Sequence, residues 1–109
     1  MRMMMHVTIP VEPGNRAALA GTLGSTIQKL LEPMHAESAY FTATESGERS
    51  GFIVFDMKDS SEIPGIAEPF FLAFNAKLTF WPVMNLQDLG KAAPGIEKAV
   101  QEYRAAASA

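Results

Sequence analysis

The segment from Glu68 to Met84 constrains this chain more than any other. It holds four of the seven phenylalanines (Phe70, Phe71, Phe74 and Phe80) and the only tryptophan, Trp81. Its first half has helix-turn spacing that Pro69 is expected to break, and Asn75 ends the turn. From Ala76 to Met84 the side chains alternate as in a strand. So dense an aromatic segment belongs in a core or an interface, and no residue in it forms a catalytic signature.

The chain leading up to that segment carries strong periodic signals. Met3, Met5, Val7 and Ile9 alternate with Met4, His6, Thr8 and Pro10, the period of a strand with two distinct faces. Glu12-Pro13-Gly14-Asn15 interrupts it, with Asn15 as the expected N-cap of a helix. Leu19, Leu23, Ile27, Leu30 and Leu31 follow at helical spacing up to Pro33. Gly21 and Gly24 fall inside that helix, where close packing on a sheet would explain them. Residues His35 to Thr44 alternate again, Glu45-Ser46-Gly47-Glu48 has hairpin composition, and Arg49 to Met57 contains the apolar run Phe52-Ile53-Val54-Phe55 of a central strand. Asp59 and Glu62 have capping-box spacing and open a second helix. Pro82 places the aromatic strand on a sheet edge, because proline cannot donate to a ladder. A helix is expected after Asn85, and Pro94 suits the first turn of another carrying Ile96, Val100 and Tyr103. The tail from Ala105 is expected to fray.

Strand, helix, strand, strand, helix, strand is the order of an α+β chain with a ferredoxin-like βαββαβ sheet. Its four strands would be antiparallel, with both crossover helices on one face. The expected division is one domain over 1–109, with a core from 3 to 84 and a helical extension from 85 to 106. This layout, with Glu68-Pro69-Phe70-Phe71 and Trp81-Pro82-Val83-Met84, resembles the dimeric α+β barrel superfamily. That group includes muconolactone-isomerase-like proteins and antibiotic-biosynthesis-type monooxygenases. The resemblance implies a homodimer of paired sheets. It carries over no catalytic residue, since no family motif is matched position by position.

The two sheet faces lead to the same expectation from the residues alone. Met3, Met5, Val7, Ile9, Ala39, Phe41, Ile53, Phe55, Leu78 and Phe80 would lie under the helices. Met4, His6, Thr8, Tyr40, Thr42, Phe52, Val54, Asp56, Thr79 and Trp81 would face the other way. A face with Phe52, Val54, Tyr40 and Trp81 together is too apolar to be left in water. A second copy of the sheet is the expected cover, enclosing a mixed apolar and polar cavity.

His6 is the candidate catalytic group, since an imidazole titrates near neutrality and this one sits mid-strand on the covered face. The alternative is a histidine hydrogen-bonded within an interface. Tyr40, Thr42, Asp56, Thr79 and Trp81 complete the candidate ligand-binding set. Asp56 could pair with His6 or simply end its strand, and Tyr40 and Trp81 could grip a flat ligand or pack an interface. Glu68 and His35 read as a helix-end carboxylate and a surface residue.

Composition removes other classes. A net charge of −3 without a basic patch argues against nucleic acid. The absence of cysteine excludes thiolate metal sites and a cysteine nucleophile, and permits a cytoplasmic location. Two histidines far apart in sequence give no metal-ligand spacing, so neither metal nor cofactor is expected. No stretch is long and apolar enough for a membrane span. Three functions stay open. One is a module binding a small apolar or aromatic metabolite, another a cofactor-independent isomerase-like or monooxygenase-like enzyme. The third is a structural dimer with a filled interior.

Overall fold

The computed structural model describes residues 1–108. β1 (Arg2–Ile9) leads into α1 (Val11–Leu19) and α2 (Leu23–Leu31), the latter continued by a 3-10 turn over Glu32–Met34. β2 (Ser38–Ala43) and β3 (Arg49–Asp56) form a hairpin. A 3-10 turn at Ser60–Glu62 runs into α3 (Ile63–Phe74), followed by β4 (Lys77–Pro82), α4 (Leu86–Lys91) and α5 (Ala93–Ser108). The strands lie in the order β2-β3-β1-β4, and every neighbouring pair is antiparallel. This is the βαββαβ arrangement expected from the sequence, with β4 on an edge and Pro82 as its last residue.

The strand faces fall as the alternation requires on β1 and β3, but Phe41 of β2, expected under the helices, is 60% exposed. Met3, Met5, Val7 and Ile9 are buried, and their neighbours in register are Phe55, Ile53, Gly51 and Arg49 on β3. On the other side of β1, Phe80 and Leu78 lie opposite Met5 and Val7. Leu23, Ile27, Leu30 and Leu31 of α2 pack on this face with Ile63, Ile66, Phe70 and Phe74 of α3. Met5 and Ile53 reach zero exposure at the centre of the sheet.

The helices depart from expectation at three points. α1 starts at Val11, four residues before Asn15, with Pro10 at the N-cap at φ −56°. Pro13 costs nothing there, because the N–H it lacks has no partner in a first turn. Asn15 therefore lies inside α1, and its Oδ1 accepts a hydrogen bond from Arg49 Nη1 at 3.1 Å. Secondly, the single helix expected up to Pro33 is two. Gly21 takes φ +76°, its N–H donates to Ala18, and Thr22 N–H donates to Ala17 at 2.9 Å. That is a Schellman ending, in which glycine occupies the left-handed position without a Cβ penalty. Neither Gly21 nor Gly24 is there for close packing, since a Cβ on either would meet open space. Thirdly, α3 continues through Pro69 to Phe74 without a break. Pro69 and Gly65, whose carbonyl loses its bond, both lie on the exposed side, where water can take the vacant acceptor.

Helix ends elsewhere follow local chemistry. Asp59 and Glu62 form the expected capping box: Asp59 Oδ1 accepts from Ser61 N–H, and Glu62 Oε2 accepts from Asp59 N–H at 2.9 Å. Asn75 ends α3 in the left-handed conformation at φ 52°. A second capping box, Asn85 with Asp88, starts α4. His35 is exposed at φ 46°, where it ends the 3-10 turn before β2.

Arg2 ties this extension to the sheet. Its guanidinium donates to Glu37 Oε1 at 3.0 Å and to Asp88 Oδ2, joining β1, the start of β2 and α4. Asp88 is held below the usual carboxylate range, first by the backbone N–H of Asn85 and then by the charge of Arg2. Beyond α4, α5 adds no residue to the buried core among the described residues. α5 continues past Ala105, where fraying was expected, to Ser108. The radius of gyration is 18.9 Å and the long axis 66 Å, against about 13 Å for the radius of a compact chain of this length.

Candidate functional site

The open face of the sheet is where the sequence-derived residues meet. Register places His6 directly between Phe52 on β3 and Thr79 on β4. Tyr40 on β2 lies opposite Phe52, so one row runs Tyr40, Phe52, His6, Thr79 across all four strands. The imidazole stacks on the Phe52 ring, with centroids 4.3 Å apart and planes within 1°. Trp81, two residues along β4, stacks more loosely at 6.3 Å and 17°. Three flat rings from three strands thus stand side by side. Burial of the two lower rungs is partial, since Phe52 and His6 are half-buried while Trp81 is 40% and Tyr40 72% exposed.

A residue absent from the candidate set holds His6 in place. The Ser50 hydroxyl and His6 Nε2 share a hydrogen bond of 2.6 Å, and Ser50 is the buried polar residue of this face. That bond leaves Nδ1 as the imidazole atom free to meet a ligand. The signal was present in the sequence: Ser50 keeps the alternation of Phe52 and Val54, one step nearer the hairpin. Thr42 pairs with Ser50 across the β2–β3 ladder, which makes a polar row next to the aromatic one.

Asp56 stands apart. It lies opposite Arg2 at the far end of β3, and its Oδ1 accepts a hydrogen bond from the N-terminal amine at 2.9 Å. That contact, and then the charge of the same amine, lowers its pKa. Asp56 does not pair with His6; the partner of His6 is the neutral serine. Met4 and Val54, opposite each other in register, occupy the ground between, both half-buried. Among the described residues no three His, Asp or Glu side chains converge as a metal would require.

Against solved structures, the architecture is similar to 5-chloro-2-hydroxyhydroquinone dehydrochlorinase from Burkholderia phenoliruptrix, solved in complex with 2,5-dihydroxybenzoquinone. The match covers 80% of this chain and 97% of that one at a TM-score of 0.59 and 12% identity. The fold is ferredoxin-like. A formyltetrahydrofolate deformylase from Pseudomonas putida matches at a TM-score of 0.49 and 13% identity, over 76% of this chain and 29% of that one. A proposed antibiotic biosynthesis monooxygenase from Deinococcus radiodurans matches at 0.42 and 12%, over 78% and 94%. Likeness at these identities concerns the fold alone. No protein-family model and no curated protein matches the sequence. No described helix is long and apolar enough to cross a membrane.

Proposed function

We propose that this chain works as a homodimer whose open sheet faces pair and enclose a site for a small, largely apolar or aromatic metabolite. The observation that carries this reading is the ring row: Phe52, His6 and Trp81 stand nearly parallel on an uncovered face, an arrangement suited to a flat ligand. Tyr40, Thr42 and Thr79 would wall the site, with Asp56 at its rim. His6, oriented through Nε2 by Ser50, would offer Nδ1 to a ligand carbonyl or hydroxyl. If chemistry occurs, it is proton transfer at that nitrogen, as in a cofactor-independent isomerase-like or monooxygenase-like enzyme. The reading treats 1–109 as one domain and places it in the cytoplasm, which the cysteine-free composition permits.

The extension supports pairing. Ile96, Val100 and Tyr103 lie at helical spacing along α5 and are 54%, 44% and 74% exposed. An isolated helix of this length is marginal in water, so its apolar stripe needs a partner surface. In the proposed dimer α5 reaches across to the second copy, a low-cost form of exchange between identical chains.

The test is a thermal-shift screen of aromatic and lactone-like acids, read in parallel by Trp81 fluorescence. His6→Gln retains a polar side chain and removes the titratable ring. A working site keeps fold and dimer in this variant but loses ligand affinity or its pH dependence. Equal affinity of both proteins for every hit would exclude a site role for His6.

A further inference from the structure

The helix-covered side of the sheet carries a second feature, unrelated to the ring row. α2 and α3 pack over β1 and β3; on β2, Ala39 still packs against the core, while Phe41, nearer the hairpin, is 60% exposed. Beneath it lies a cavity of about 230 Å³ walled by Val7, Ile9, Ile27, Leu31, Phe70 and Phe74. The wall is carbon except at the β2–β3 end, where Arg49 joins it; Thr42 and Ser50 border that end but carry their side chains on the open face. The Ser50 hydroxyl is already engaged by His6.

Two glycines shape that end. A Cβ on Gly51 would lie 3.0 Å from Phe41 Cδ1, so the bare α-carbon lets the phenyl ring lie across β3. A Cβ on Gly14 would lie 2.6 Å from Arg49 Nη1, so the bare α-carbon seats the guanidinium against α1. The seat is an unusual one for a cation. Asn15 Oδ1, a neutral acceptor, takes one N–H, and the first turn of α1 presents the positive end of its dipole. Glu48 adjoins Arg49 in sequence and Glu12 lies in the first turn of α1, yet among the described residues no carboxylate is ion-paired with Arg49. An unpaired guanidinium beside an apolar cavity is complementary to a carboxylate carried on an apolar body.

We infer that this cavity binds a small monocarboxylic acid, with its apolar part among the core side chains and its carboxylate on Arg49. At about 30 Å³ per water the cavity holds roughly eight waters' volume, which suits an acid of about six to eight carbons. The site is separate from the one proposed between the sheets.

The probes are hexanoate and its neutral counterpart hexanol, titrated near neutral pH into the full chain with labelled isoleucine, leucine and valine methyls. The expected result is that hexanoate shifts the methyl resonances of Ile27, Leu31 and Val7 and binds about tenfold or more tighter than hexanol, the scale of a charge-assisted hydrogen bond. Arg49→Gln should remove that advantage while leaving hexanol unchanged. Ile27→Phe, which fills the cavity, should weaken both. Hexanoate that leaves these methyls unmoved, or binds no tighter than hexanol, overturns the inference. The hexanoate-to-hexanol comparison on the unaltered chain decides the matter even if Arg49→Gln fails to fold. A ligand between paired sheets would instead perturb the Trp81 indole and spare these methyls, so either site can fail without the other.

Discussion

Replacing Tyr40 by Ala is the most direct challenge to the pairing of open faces. Tyr40 sits on the edge strand β2 and is 72% exposed, so the isolated subunit barely depends on its ring. A tyrosine offers roughly 200 Å² for burial, so about 140 Å² of this one remains to be covered by a partner. At about 25 cal/mol per Å² that is about 3.5 kcal/mol for each copy. A two-fold dimer loses the contact twice. Area converts to affinity incompletely, because association also orders side chains. Taking half of the doubled figure leaves about 3.5 kcal/mol, or roughly a 300-fold rise in the dimer dissociation constant.

Sedimentation equilibrium over a dilution series measures that constant for parent and variant, and a denaturant melt at low concentration reports on the subunit. The expected pattern is a large shift in the dissociation constant with a subunit melt changed by less than about 0.5 kcal/mol, the range of surface substitutions. A shift below about tenfold, or a parent chain that sediments as one copy at micromolar concentration, would refute the pairing through this face.

Other perturbations test the fold and its fastenings. Met5→Asp places a carboxylate at a position with no exposure and should cost several kcal/mol in a denaturant melt, with Ile9→Asp comparable. Val54→Lys, on the open face opposite Met4, should release monomers in light scattering without unfolding them. Pro69→Ala restores an N–H to the middle of α3 and should raise the melting midpoint, by up to about 3 kcal/mol of stability. Because Asp88 has a depressed pKa, its contribution to holding α4 is present above the ordinary carboxylate range and is lost as pH falls through the lowered value. Amide protection factors in α4 should therefore fall in acid in the parent, and be low already at neutral pH in Arg2→Ala.

Much of the architecture was legible because the strands obey a period of two on faces of unlike polarity. Met3, Met5, Val7 and Ile9 are apolar without interruption, and a register slip would bury His6 and Thr8 instead. Edge placement of β4 was readable from Pro82, and the first capping box from the spacing of Asp59 and Glu62. The α1–α2 region was misread because glycine and proline act by position. Pro13 is harmless in a first turn but would break an interior, whereas Gly21 is an ending and not a packing contact. Sequence spacing cannot tell these apart until the helix start is known. Pro69 shows the converse, an interior proline tolerated because its vacant acceptor faces water. In the candidate site the imidazole and its ring neighbours followed from alternation alone. Ser50 did not, because its importance depends on a diagonal reach between strands, which requires the β1–β3 register.

The dimensions of the open face bear on how a dimer could be held. Four strands about 4.8 Å apart span about 19 Å, and six residues of strand span about 20 Å, a footprint of about 400 Å². Stable interfaces bury about 800 Å² on each partner. Even with side-chain relief, the sheet alone falls short of a tightly held pair. α5 is about 24 Å long and presents a stripe roughly 10 Å wide, which adds about 240 Å². The segment that departs from the compact body thus supplies about 240 of the roughly 400 Å² that the sheet face lacks. On this reasoning, the sheet faces set the geometry of the site while α5 supplies much of the affinity. Removing the chain after Lys91 should therefore weaken the dimer while leaving the His6–Ser50 and His6–Phe52 contacts of each subunit in place.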